Sequence, residues 1–162
     1  MRLPMAFFGA IGASLIGGMA MAGGLPVAPS RIGFVDMGGK SVSVTALGGK
    51  PVILLFWRSD CGPCLVELQG LAALRRAAAP AKVVTVALQD RSSAATASKR
   101  WRIPTPSAWI ATGDARTTLV TYGGAPRLPL SVALDPHGAI CARHVGLLGT
   151  DLATRWSRQC SS

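Results

Sequence analysis

Between Pro51 and Trp57 the chain reads Pro-Val-Ile-Leu-Leu-Phe-Trp, without a polar side chain. Gly48-Gly49-Lys50 precedes this run and Arg58-Ser59-Asp60 follows it. A segment so short and so apolar fits a strand buried on both faces better than a half-exposed element. It therefore demands cover on two sides. Lys82 to Leu88 supplies a second buried strand. Between the two, Cys61 to Ala79 reads as a helix stopped by Pro80. Ser92 to Trp101 reads as a Ser-capped helix, and Thr117 to Tyr122 as a short one. Ile103 to Ile110 is interrupted by prolines and is left unassigned. Arg31 to Val35 and Lys40 to Thr45 alternate apolar and polar residues around Asp36-Met37-Gly38-Gly39, the pattern of a β-hairpin. Ser131 to Leu134 and Ala139 to Val145 form a second hairpin across the turn sequence Asp135-Pro136-His137-Gly138. Thr150 or Asp151 then caps a last helix that runs to about Gln159. The expected fold is α/β: a central mixed β-sheet with helices on both faces and an N-terminal β-hairpin extension.

Composition narrows the function classes. Hydrophobic residues make up 49% of the 162 residues and charged residues 15%, which excludes a highly charged disordered chain. The formal net charge is +10, but the basic residues are scattered. Their densest group is Lys99, Arg100 and Arg102 around Trp101. No recognition motif accompanies it, so the charge reads as solvated surface and no nucleic-acid partner is expected.

The N-terminus reads as an address. Arg2 is followed by an uncharged run to Ser30, almost wholly apolar or glycine from Met5 to Ala22. Ala20-Met21-Ala22 has the small-x-small pattern of a signal-peptidase site. Residues 1–22 are expected to be a signal peptide or a single membrane anchor, residues 23–30 a linker, and residues 31–162 the folded domain. Either form of the N-terminus places that domain in the periplasm, where disulfides persist.

Cys61-Gly62-Pro63-Cys64 stands where a buried strand ends and a helix begins. Unpaired N–H groups and the dipole of the helix N-terminus stabilise a thiolate on Cys61. Pro63 suits the first helical turn. Cys64, Leu68, Leu71 and Leu74 lie at helical spacing and define a buried stripe, so Cys64 points inward and Cys61 lies at the surface. This ordering makes Cys61 the attacking thiol and Cys64 the resolving one. Glu67, three residues beyond Cys64, is either the acceptor of the Cys64 proton or an ordinary flanking carboxylate. Zinc needs more ligands than this pattern offers, so no metal is expected. A purely structural bridge is disfavoured by the strand-end placement. His137 and His144 have no ligand or triad spacing and read as surface residues.

The segment Phe56-Trp57-Arg58-Ser59-Asp60-Cys61-Gly62-Pro63-Cys64 resembles the active-site region of thioredoxin-fold proteins, and most of all the exported TlpA/ResA-like thiol–disulfide oxidoreductases. The likeness extends over almost all of the chain after residue 30. It implies a thioredoxin-like fold, a redox disulfide between Cys61 and Cys64, and a catalytic role for Glu67. Leu128-Pro129 is similar to the family's substrate-binding cis-proline loop, with Pro126 as the rival proline. The resemblance further implies protein disulfide or dithiol substrates, a membrane or periplasmic thiol reductant, no cofactor, and service in cytochrome c maturation. Reduction of protein disulfides is the expected direction. A disulfide-donating oxidase is the alternative within the enzyme class, and a thioredoxin-like binding module or metal carrier is the alternative outside it. Asp60 departs from the family pattern, which has an aromatic residue before the first Cys. A carboxylate there opposes a thiolate, and Arg58 offsets it. In an exported protein Cys141 and Cys160 are expected to form a structural disulfide; two free thiols or an intermolecular link are the alternatives.

Overall fold

The apolar run forms β3 (Val52–Trp57), and its period-2 geometry divides it between two cores. Ile53, Leu55 and Trp57 enter one cluster; Val52, Leu54 and Phe56 enter the other. The computed structural model describes residues 32–161. The expected signal peptide or anchor over residues 1–22 and the linker over 23–30 lie outside the described residues. Among the described residues no helix is long and apolar enough to cross a membrane.

Seven strands form one mixed sheet in the order β2-β1-β5-β4-β3-β6-β7. β3 runs parallel to β4 (Lys82–Ala87) and antiparallel to β6 (Leu130–Leu134). β4 in turn pairs in parallel with β5 (Ala108–Ala111), which begins within the proline-interrupted stretch Ile103 to Ile110. One face of the sheet carries α1 (Gly62–Gln69), α2 (Leu71–Ala78), α3 (Arg91–Arg100) and α5 (Thr150–Gln159). The other carries α4 (Ala115–Gly123). There Tyr122 meets Phe56 and Phe34 at ring-centroid distances of 5.1 and 5.9 Å, and Phe34 meets Trp109 at 5.8 Å. These are the tilted separations that aromatic pairs favour. The chain thus has the α/β architecture expected of it, a central mixed sheet with helices on both faces.

Several local expectations differ from the structure, each for a physical reason. The N-terminal hairpin forms as β1 (Phe34–Asp36) and β2 (Ser41–Val42), but the second strand stops early. Ser43 caps a 3-10 turn over Val44–Leu47 by accepting the Thr45 N–H, and this takes Thr45 out of the ladder. The single helix over Cys61 to Ala79 is two helices that meet at Gly70. Gly70 closes α1 with N–H bonds to the carbonyls of Glu67 and Leu68, and it opens α2. Glycine is a poor helix interior, which is why the seam falls there. Helix α3 is capped by Asp90, whose Oδ1 accepts the Ser93 N–H at 2.9 Å, and not by Ser92. The extended backbone before α5 falls at Gly149, so Thr150 is already helical and no side chain caps the helix. The closing hairpin of β6 and β7 (Ile140–Val145) turns where expected. Asp135 Oδ1 accepts both the His137 and Ala139 N–H at 2.9 Å, and Gly138 takes the positive φ of 88°.

Cys141 on β7 and Cys160 at the end of α5 are joined in a disulfide, with Cα atoms 5.8 Å apart. Closing a loop of this length, 19 residues in sequence, restricts the unfolded chain by about 3 kcal/mol. Replacing both residues by Ser is expected to lower the unfolding free energy by about that amount. Urea denaturation is the measurement, with a steeper slope expected as the unfolded chain loses its cross-link; an unaltered unfolding free energy refutes the bridge as a stabiliser.

Candidate active site

β3 delivers the chain to the surface. Trp57 is buried at its end and accepts the Leu88 N–H through its carbonyl at 3.0 Å. The chain then turns through Arg58-Ser59-Asp60, and the Cys61 N–H closes the turn on the Arg58 carbonyl at 3.2 Å. Cys61 is the N-cap of α1, with extended dihedrals (φ −97°, ψ 97°). Its Sγ accepts the Cys64 N–H at 3.3 Å. A sulfur therefore occupies the position where a capping oxygen stands in other helices, facing the donors that a helix start leaves free. Pro63 sits in the first turn and removes one donor that has no helical partner.

Cys61 and Cys64 are disulfide-bonded, with Cα atoms 5.3 Å apart. The two sulfurs differ in access: Cys61 is part-exposed, whereas Cys64 is sealed at 0% exposure. Leu68, Leu71 and Leu74 continue the buried stripe below Cys64.

Asp60 does not face the pair as a free charge. Arg58 donates to both its oxygens, Nε to Oδ1 and Nη2 to Oδ2, each at 2.9 Å. This forked bond holds the Asp60 carboxyl below its ordinary value. Arg58 Nη1 also donates to the Leu88 carbonyl at 3.1 Å, pinning the turn to the end of β4. On the same side, Gln89 Oε1 accepts both the Ser59 N–H (2.7 Å) and the Ser59 hydroxyl (3.0 Å). Sequence spacing gave no sign of Gln89, which lies 30 residues away from Ser59.

Glu67 is buried, at 5% exposure, so it is not a solvent-facing flank of the helix. Its Oε1 accepts the Leu148 N–H at 2.8 Å across the gap between α1 and the loop before α5. Burial raises its pKa from 4.5 to about 7, and the Leu148 bond opposes part of that rise. A cavity of about 260 Å³, lined in part by Val66, Ala73, Leu147 and Thr150, lies against it.

Pro129 lies at the same end of the sheet. Phe56 pairs with Leu130 in the β3–β6 ladder, so the residues just before Leu130 stand beside the exit of β3. The Leu128–Pro129 peptide is cis; Leu128 is half-buried and Pro129 buried. The Pro129 carbonyl accepts the Gly146 N–H at 2.9 Å. Pro126, the rival proline, is exposed and its peptide is not cis. Cys141 and Cys160 stand apart from the Cys61–Cys64 pair as a separate bridge between β7 and α5. Among the described residues no group of three or more His, Cys, Asp and Glu side chains could hold a metal.

The Redoxin family model matches residues 26–154. No curated protein matches the chain. Many solved structures share its architecture, among them these three. The thioredoxin domain of a thiol–disulfide oxidoreductase from Bacteroides vulgatus superposes with a TM-score of 0.66 at 21% identity, over 84% of this chain and 96% of that one. StoA from Bacillus subtilis gives 0.61 at 23% identity, over 80% and 98%. An exposed lipoprotein thioredoxin from Streptococcus pneumoniae gives 0.57 at 21% identity, over 78% and 97%. At these identities the likeness shows the fold.

The folded chain keeps the Glu67 proton up to about pH 7, whereas the unfolded chain loses it near 4.5. Folding therefore binds a proton between those values, and stability declines as pH rises through that window, by on the order of 3 kcal/mol in total. Glu67→Gln removes the decline: urea melts are expected to match wild type at pH 4 and to exceed it at pH 8. Equal midpoints at pH 8 contradict the buried carboxyl. Asp60→Asn leaves the Arg58 charge unpaired near Cys61, so alkylation of the reduced protein by iodoacetamide at pH 6 is expected to accelerate severalfold; an unchanged rate rejects that coupling.

Proposed function

The chain belongs to the redoxin family, and on that premise we propose that it reduces protein disulfides outside the cytoplasm, with Cys61 as nucleophile. Its chemistry is that of a thioredoxin-like thiol–disulfide oxidoreductase carrying a Cys61–Cys64 pair. The observation that carries the direction of attack is the unequal access of the two sulfurs, one part-exposed at a helix start and one sealed beneath it.

In the reduced protein the Cys61 thiolate attacks one sulfur of a substrate disulfide. A mixed disulfide forms, and the other substrate sulfur leaves as thiolate and takes up a proton. Cys64 gives its proton to Glu67, directly or through a water. The Cys64 sulfur then attacks Cys61, the mixed disulfide breaks, and the second substrate thiol departs. Two electrons have moved to the substrate, and the Cys61–Cys64 bond is left. A carboxyl whose pKa lies near neutrality suits a proton that must be taken up and passed on in each turn. The cavity beside Glu67 is its path to solvent. A dithiol reductant at the membrane or in the periplasm restores the pair. Leu128 offers its backbone beside Pro129 to a substrate chain bound as an added strand.

Export is supported by the apolar N-terminal segment ending in Ala20-Met21-Ala22 and by the second disulfide, which suits an oxidising compartment. Service in cytochrome c maturation follows the TlpA/ResA resemblance of the active-site segment. Trapping tests the mechanism. Cys64→Ser is expected to accumulate mixed disulfides on Cys61 when exposed to extracytoplasmic proteins, and Cys61→Ser to accumulate none. Adducts on Cys64 alone reverse the assignment. A reduction potential nearer to about −270 mV than to about −120 mV supports reduction over disulfide donation.

A further inference from the structure

A cavity of about 450 Å³ beside the redox pair takes no part in these steps. Ser59 and Leu65 form one wall, so Cys61 lies between them in the chain. The opposite wall is one face of α3, with Ser92, Thr96 and Arg100 at helical spacing and Trp101 at its end.

The chemistry of this cavity is specific. The Ser59 hydroxyl donates to Gln89 Oε1 at 3.0 Å. That of Ser92 donates to Asp90 Oδ1 at 2.5 Å, and that of Thr96 to the Ser92 carbonyl at 3.0 Å. Of the four hydroxyl residues in the lining, Ser59, Ser92 and Thr96 spend their protons inside the protein and present oxygen lone pairs to a ligand; Ser93 is the fourth. No carboxylate lines the cavity, and Arg100 supplies its one formal charge. The Arg100 guanidinium lies 5.8 Å from the centre of the Trp101 ring. Among the described residues the single ion pair is Arg58–Asp60, so Arg100 has no carboxylate partner. The acids nearest to Arg100 in sequence are engaged elsewhere, Asp90 with Ser92 and Ser93 and Asp114 with Thr117, and Asp60, next to the cavity residue Ser59, is held by Arg58. Lys99 and Arg102 add to the positive potential around Arg100.

We infer that this cavity binds the polypeptide flanking the substrate cysteine: its N–H groups meet the hydroxyl oxygens and an acidic side chain meets Arg100. From Ser92 to Arg100 the helix rises about 12 Å, which an extended chain covers in about four residues. Gln89 holds the Ser59 turn at the start of α3, which puts Cys61 toward the Ser92 end of the cavity, so the carboxylate is expected roughly three to five residues from the reacting cysteine. The assignment rests on the redox role of Cys61 only for the identity of the arriving molecule.

Synthetic peptide disulfides with Glu or Gln four residues from the cysteine test it, on either side and at low salt. The Glu peptides are expected to react with a kcat/KM about fivefold higher, carried by KM. That ratio is expected to fall to about one in Arg100→Gln, and to favour a Lys peptide in Arg100→Glu. Thermal melts confirm that both variants fold. A ratio near one in the wild type, or one that survives Arg100→Gln, overturns the assignment. The same peptides with Ser for Cys are titrated against the oxidised protein by tryptophan fluorescence. A Glu preference in binding without reduction of any peptide leaves the cavity assigned and removes the redox reading. Equal binding of both peptides removes the cavity.

Discussion

β3 is sealed from water on both faces, and everything chemical about this chain depends on that. A strand wedged between two cores cannot slide or tilt without opening both. Cys61 follows Trp57 by four residues and inherits its position from the strand. The helix that begins there inherits its direction from the Leu68, Leu71 and Leu74 stripe, which must face the same core as Ile53 and Leu55. The exposure of one sulfur and the burial of the next are thus consequences of packing. No separate device is needed to make the pair asymmetric.

The turn between strand and helix is held by side chains that bridge to the end of β4. Arg58 reaches Asp60 and the Leu88 carbonyl at once, and Gln89 takes both donors of Ser59. The ion pair is exposed and contributes little to stability as such. Its effect is local: it fixes where two opposite charges stand relative to Cys61. Asp60, in the place of the family's aromatic residue, is neutralised by its neighbour's neighbour and opposes the thiolate less than an unpaired carboxylate would.

Much of this was legible in the sequence because it depends on short-range pattern. The uniform burial of β3 and the inward stripe of α1 and α2 follow from periodicity. The hairpin turn at Asp135 to Gly138 follows from residue chemistry. What stayed hidden depends on which distant groups meet. Nothing in the spacing around Glu67 separates a buried acid from a solvated one; the difference is Leu148, 81 residues away. Cap positions moved by one or two residues, to Asp90 and Gly149, because a cap is decided by where the backbone first turns extended. β2 is shorter than its alternating sequence suggests because Ser43 bonds the neighbouring backbone, and alternation in sequence does not register that competition. The seam at Gly70 was visible as a glycine, but a long apolar stripe on both sides of it disguised the break.

The second disulfide bears on the site through helix α5. That helix is tied at its end by Cys141–Cys160 and along its length to α2 and its exit, where Thr154 donates to the Ala77 carbonyl at 3.0 Å and Ser157 accepts the Ala81 N–H at 3.4 Å. A helix secured in this way holds its own entry loop in place. That loop carries both contacts that matter: Gly146, at a φ of 113° that favours glycine, bonds the Pro129 carbonyl, and Leu148 bonds Glu67. Three residues thus connect the loop proposed to receive substrate with the carboxylate proposed to receive the proton. A bridge remote from the thiols in sequence acts as part of their support, because it steadies a segment that touches both.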